Sequence, residues 1–295
     1  MALRWSPVFL IVVVALLVSS VWGRSATVAQ SRNVLRIATF NIHKGADRQD
    51  HYDLERTIQA IASLDVDLIG TQEVLRNHAG FACADQPALI EQGLRRRTGR
   101  AWSHVYVSAQ KNGSRTCLAS GRGDSTETEG LAFFAPERLM ASRSVDLPEA
   151  RTGLAVRLAS MPGVSVVVTH LTASRQNQAH RVGQLALLLP WVETLGPSVL
   201  IGDFNARPDA EELVPVHARY LDAWDVANRR GLAGGAVADP GRPRRRRIDY
   251  VFYDPNLAWT LESVDEVDTA SPPDRGEVSD HRPVVATFRR NTTKS

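Results

Sequence analysis

Short apolar runs recur along this chain, and each runs into a carboxylate, an amide or a histidine. The first is Ala38-Thr39-Phe40-Asn41-Ile42-His43, and the series continues through Glu73, His170, the pair Asp203 and Asn205, and Asp249. It closes at Ser279-Asp280-His281-Arg282-Pro283. Runs of this length and β-branched content read as buried strands, and helical patterns lie between several of them. That alternation restricts the chain to the α/β class. Polar groups gathered at one edge of a sheet form a hard-metal site beside phosphate-binding groups. The pattern therefore predicts hydrolysis of a phosphate ester.

A chain of 295 residues, 43% hydrophobic and 23% charged, can build one large α/β domain. Its start is different in character. Arg4 precedes an apolar run over residues 8–18, and Val21-Trp22-Gly23 offers small or permissive residues for cleavage. This describes a secretory signal over 1–23. The run is shorter than the roughly 20 residues of a spanning helix, so a retained anchor is the secondary reading. Residues 24–33 read as a linker and 34–290 as a single domain. Export is the expectation.

Neither Cys83 nor Cys117 belongs to a zinc pattern. In an exported protein they pair into a disulfide; the alternative is two buried free thiols. The formal charge of +3 falls to +2 without Arg4, which is too mild to identify nucleic acid as partner. Locally the picture is stronger: Arg242, Arg244, Arg245, Arg246 and Arg247 lead directly into Ile248-Asp249-Tyr250. Such a cluster would draw in anionic substrate, although a charge run is more often a solvated loop.

Strands are expected over 35–40, 66–71, 102–108, 131–134, 153–158, 164–169, 199–201, 248–253 and 283–288. Helices are expected over 53–64, with Asp53 as cap and Leu54, Ile58, Ile61 and Ala62 on one face, over 88–97, and over 178–195. Leu185, Leu188 and Leu189 point inward in the last, and Pro190 should kink or restart it. Two long loops, 112–128 and 231–247, remain.

Phosphate-ester cleavage needs neutralised phosphoryl oxygens, a positioned water and a group that assists the leaving oxygen. Glu73, closing a strand, suits magnesium or manganese; alone it would be a surface glutamate. Asp203 and Asn205 flank Phe204, so in an extended segment both side chains share a face while the ring turns into the core. Asp203 can orient or deprotonate water, and Asn205 can hold a phosphate oxygen. An Asx turn is the plainer alternative. Asp249 is the expected partner of His281 and raises its pKa, leaving Asp280 for the metal side. His170 would be a second such histidine, with Glu129 as its carboxylate. Arg151 is a phosphate contact or a surface arginine.

The ordered motifs Thr39-Phe40-Asn41, Gln72-Glu73, Thr169-His170, Gly202-Asp203-Phe204-Asn205, Arg247-Ile248-Asp249-Tyr250 and Ser279-Asp280-His281 resemble those of the endonuclease/exonuclease/phosphatase superfamily. Its members include deoxyribonucleases, abasic-site endonucleases, sphingomyelinases and inositol polyphosphate phosphatases. The resemblance implies a four-layer α/β sandwich, with two central mixed β-sheets packed face to face and helices on both outer faces. It implies a divalent metal, Mg2+ or Mn2+, at Asn41 and Glu73, and a water-orienting, phosphate-holding pair in Asp203 and Asn205. Asp249 and His281 resemble the pair that stabilises the transition state, and His170 the second histidine of the nuclease and sphingomyelinase branches, a general acid. The stretch from Glu127 to Phe134 lacks the tyrosine or asparagine that many relatives place before this strand.

The expected function is an exported, metal-dependent phosphoesterase of nuclease-like type, with a phosphate ester, DNA or RNA among the candidates, as substrate. The alternatives are a lipid or inositol-phosphate phosphoesterase, which no amphipathic helix or aromatic hairpin here supports, and a catalytically silent binding protein on the same fold. No protein partner is evident, and a monomer is expected. Arg122-Gly123-Asp124-Ser125 spells an adhesion tetrapeptide and is taken as chance; Asn112-Gly113-Ser114 fits a glycosylation acceptor.

Overall fold

Residues 33–173, 175–235, 247–270 and 275–291 are described by the computed structural model. The leader, the linker apart from Asn33, and Arg242, Arg244, Arg245 and Arg246 lie outside the described residues. Within them, strands form two mixed sheets. One has seven strands in the order β10 (Ala233–Gly235), β12 (Trp259–Glu266), β13 (Val284–Arg290), β1 (Val34–Asn41), β2 (Leu68–Arg76), β4 (Thr128–Ala135), β3 (Ser103–Lys111). The other has six, in the order β5 (Leu139–Leu147), β6 (Arg151–Leu158), β7 (Ser165–His170), β8 (Ser198–Asp203), β11 (Asp249–Tyr253), β9 (Leu221–Asp222). The pairs β1 with β2 and β7 with β8 are parallel, whereas β11 runs antiparallel to β8 and β13 to β1.

Both faces of the central strands are buried, which explains their near-continuous apolar sequence. Side chains alternate between two environments. Ile37, Leu68, Phe133, Val168, Ile201, Val251 and Ala286 meet between the sheets. Phe40, Ile69, Phe134 and Val285 turn outward under α1 (Leu54–Ser63) and α2 (Gln86–Thr98). Val167, Leu200 and Phe252 do the same under α4 (Gln178–Glu193). Each such large side chain contributes about 1.5–3 kcal/mol by leaving water. At Gly70 the sheets approach so closely that a Cβ would lie 2.7 Å from Val168 Cγ2 and 2.8 Å from Ile201 Cδ1. The result is the four-layer sandwich that the resemblance implied.

Several local expectations are corrected. β2 does not end at Thr71 but runs to Arg76, with a bulge between Thr71 and Val74 against β4. Asp53 caps α1 by accepting from Arg56 N, as expected; Leu54, Ile58 and Ile61 are buried, Ala62 packs half-buried against the same cluster, and Thr57 and Ala60 complete the buried face. Pro190 neither breaks nor restarts α4: buried Leu188, Leu189 and Val192 hold that turn by packing. β5, β9, β10 and β12 fall in segments read as connections. Cys83 and Cys117 are joined in a disulfide, and α3 (Thr116–Ala119) gives the loop over 112–128 a turn of helix.

Candidate active site

Strand direction gathers the polar residues. β1, β7 and β8 deliver Asn41, His170 and Asp203 from their C-terminal ends. β11 is antiparallel to β8, and its first residue, Asp249, lies opposite Asp203 in register. Asp249 therefore opens a strand rather than following an apolar run, and reaches the same edge. Glu73 is likewise not at a strand end. It sits in the β2 bulge with a φ of 55°, and the bulge re-aims its side chain toward the rim. Asp280 and His281 come from the turn before β13. Ser279 Oγ donates to Asn41 O at 2.8 Å and accepts from His281 N at 3.1 Å, tying the last motif to the first.

At the centre, Asn41 Nδ2 donates to Glu73 Oε1 at 3.0 Å and to Asp203 Oδ2 at 3.2 Å, while its oxygen accepts from His43 N. Asp203 Oδ1 accepts from Asn205 N at 2.8 Å. This is the Asx turn, and it coexists with a site role because Oδ2 remains turned to the rim. Asn205 is not extended: its φ is 51° and its Nδ2 donates to Leu171 O at 2.9 Å. Gly202, just before Asp203, is required: its φ is 150° and a Cβ there would lie 2.0 Å from Thr169 O. Phe204 is fully buried against Tyr250 and Phe252.

His281 Nδ1 donates to Asp249 Oδ2 at 2.8 Å, and its Nε2 lies 3.7 Å from Asp203 Oδ2. Burial alone would depress its pKa. The charge and hydrogen bond of Asp249, with Asp203 and Asp280, outweigh that and hold it well above the usual 6.5. His170 is the opposite case: burial, Arg151, His281 and Lys44 all push its pKa well down. Its Nδ1 faces Arg151 Nη1 at 3.4 Å, which places its own proton on Nε2, 3.5 Å from Asp203 Oδ2. Burial, then Asp249, raise the pKa of Asp203. One histidine is thus cationic and the other neutral.

Glu129 does not partner His170. Its carboxylate lies 3.9 Å from Lys44 Nζ, which also meets Glu73 at 3.9 Å, so it stands on the Glu73 side of the rim. Glu129, Arg151 and His170 nonetheless line one small recess. The expected metal-side residues Asn41 and Glu73 are in contact, and Asp280 stands beyond them, 3.8 Å from His43 Nδ1. A different trio, Asp203, Asp249 and His281, brings potential ligand atoms within 4.8 Å of one another; the protonated His281 makes it a hydrogen-bonded charge network. Arg247 is committed locally, with Nη1 2.6 Å from Asp222 Oδ2 and its guanidinium over the Tyr250 ring. A cavity of about 360 Å³ opens beside Asp249, Asp280 and His281, lined also by Arg48 and Trp224. Sequence reasoning passed over His43 and Lys44. Two basic residues and a glycine directly after a site-bearing strand end were the available signal.

The family model for the endonuclease/exonuclease/phosphatase family matches residues 38–281. No curated protein matches the sequence. Among solved structures, an endonuclease/exonuclease/phosphatase from Beutenbergia cavernae DSM 12333 is similar at 25% identity and TM-score 0.67, covering 88% of this chain and 72% of its own. The human Nocturnin catalytic domain with bound sulfate anion shares the fold at 20% identity and TM-score 0.62, over 87% and 94%. ANGEL2, a 2′,3′-cyclic phosphatase, does so at 16% and 0.57, over 86% and 95%. With its six motifs gathered on one edge of a four-layer sandwich, the chain belongs to the endonuclease/exonuclease/phosphatase family.

Proposed function

We propose that the protein is a divalent-metal-dependent phosphodiesterase acting by in-line attack of water, with nucleic acid the first substrate class to test. The observation that carries this reading is the pairing of a cationic His281, fixed by Asp249, with the raised carboxylate of Asp203 at the same opening. A donor for developing phosphoryl charge and a base for water stand side by side. The family also implies a metal, and the donor set fits one. Glu73, Asp280 and the Asn41 amide oxygen are hard oxygen donors. Both carboxylates are partly open to solvent, and Asp249, which lines the same cavity as Asp280, has a buried Oδ1 without a hydrogen-bond partner.

When bound, Mg2+ or Mn2+ would supply neutralisation of the phosphoryl oxygens. The chain's own residues do the rest. His281 Nε2–H donates to a phosphoryl oxygen, and Arg151, which lines a recess with His170 and reaches it through Nη1, takes another. Asp203 accepts the proton of the attacking water, held in place by Asn41 and its own turn. His170, neutral here, donates through Nε2; a phosphate anion beside it would raise its pKa and let it protonate the leaving oxygen. The sulfate in the Nocturnin structure supports an oxyanion on this fold.

We place the enzyme outside the cytoplasm; the Cys83–Cys117 disulfide supports an oxidising compartment. The test of function is Asp203→Ala with Mg2+ and a generic phosphodiester, expected to lose about 10²–10⁴ in turnover. Unchanged turnover, or full turnover in excess chelator, would sink the mechanism. A panel of plasmid DNA, RNA, sphingomyelin and phosphoinositides then assigns the substrate.

A further inference from the structure

Directly after β1 the backbone enters an unusual turn. His43 and Lys44 both adopt positive φ, 45° and 62°, followed by Gly45 at 77°. Side chains other than Asn, Asp and His seldom sit in this region, so Lys44 is the unusual member, and such conformations persist where surrounding structure enforces them. Here the enforcement is visible. Gln86, fully buried, donates from Nε2 to Lys44 O at 2.6 Å and accepts from Leu75 N at 2.8 Å. One amide thus fastens the turn to the stretch of β2 that carries the Glu73 bulge.

The turn sets its two basic side chains along the acidic rim, each against different carboxylates. His43 Nδ1 lies 3.8 Å from Asp280 Oδ1. Lys44 Nζ lies 3.9 Å from Glu73 Oε2 and 3.9 Å from Glu129 Oε2. The two glutamates come from different strands, and Lys44 is the group that bridges them. Without a cation between them the carboxylates would repel across a half-buried space.

We propose that Lys44 is the resident cation of this rim, a positioning residue that holds Glu73 and Glu129 together and yields Glu73 when a divalent ion binds. The proposal rests on the metal site of the preceding section and adds a competitor to it. Removing the charge frees Glu73, so the divalent ion binds more tightly. Removing it also takes the bridging charge from between Glu73 and Glu129, leaving Arg151 and His43 to act on Glu129 and the Asn41 amide to hold Glu73, and the metal-free protein becomes less stable.

The experiment is calorimetric titration of Mg2+ and Mn2+ into chelator-stripped full-length protein, with melting temperatures with and without the ion. Lys44→Met keeps the aliphatic stem and drops the charge. Lys44→Gly drops the charge and suits the positive φ, so it carries the test if the first variant does not fold. Both should tighten the ion about 3- to 30-fold, as expected for a partly exposed charge contact, and show a larger melting shift on adding it. Lys44→Arg should restore wild-type affinity. Unchanged or weaker affinity in the uncharged variants overturns the proposal, as does absence of binding in every protein. Phosphodiester turnover is not the readout, so a failure of the proposed activity leaves this result separately legible.

Discussion

Asp203 is 1% exposed and carries its charge beside another carboxylate, so at neutral pH its ionised form works against folding. The sign follows from linkage: a carboxyl raised in the folded state favours folding below its unfolded pKa of about 3.8, and that advantage is lost as pH rises. Asp203→Asn should therefore abolish turnover and flatten the fall of stability with rising pH in the metal-free protein, seen in chelator as melting temperatures that drop less between acid and neutral pH than those of the wild type. His281 has the reverse partner effect. Its raised pKa makes its contribution complete below about 6.5 and lost as pH climbs through the folded value. Activity should share that alkaline limb, and Asp249→Asn should draw it down by about 1–3 pH units in a pH–rate profile. An alkaline limb unmoved in the variant would detach Asp249 from this role. The His281–Asp249 contact was legible in the sequence because both residues carry motifs at strand ends. The charge state of His170 was not, since it depends on Arg151, 19 positions away in sequence and adjacent only across the β6–β7 pairing.

At the scale of elements, legibility tracked burial. β7 and β8, buried throughout, were read from their apolar runs. β5, mostly exposed, and β12, half-buried, offered no such run, because an edge or near-edge strand satisfies its backbone without a continuous apolar sequence. The partner of Glu129 was misread for a related reason: it lies inside β4, opposite the stretch of β2 that follows the bulge, and its neighbours depend on that register. Where the backbone is tightest, substitution should show it. Gly202→Ala sets a Cβ against the Thr169 carbonyl in a conformation that side chains seldom adopt, and the carbonyl belongs to a parallel ladder that cannot shift alone. Gly70→Ala meets only the side chains of Val168 and Ile201. Both should destabilise by about 1–3 kcal/mol in urea unfolding, Gly202→Ala by the larger amount. Gly202→Ala should also lower turnover by displacing Asp203, whereas equal effects of the two on activity would count against the backbone argument.

For the whole molecule, the order of strands in each sheet was beyond the sequence: β13, last in the chain, lies between β12 and β1, and β4 pairs with both β2 and β3. Such pairings are settled by long-range packing, of which one chain carries no local sign. One long-range link was legible as a conditional, the Cys83–Cys117 disulfide, and it bears on the site. It clamps the loop over 112–128, which feeds directly into β4 and Glu129, onto the segment after β2 that carries Glu73. Asn77 Nδ2, from the same segment, donates to Asp124 and Ser125 in that loop, so the clamp is continued by hydrogen bonds. A link spanning 34 positions restrains the unfolded chain by roughly 4 kcal/mol in the loop-entropy model. Cys83→Ser with Cys117→Ser should lose most of that in guanidinium unfolding, and reductant should bring the wild type to the same midpoint. Because the clamp holds the strand that presents Glu129 to Lys44, the paired variant should also bind Mn2+ with altered affinity. A loss of stability with unchanged Mn2+ affinity would confine the disulfide to a purely global role.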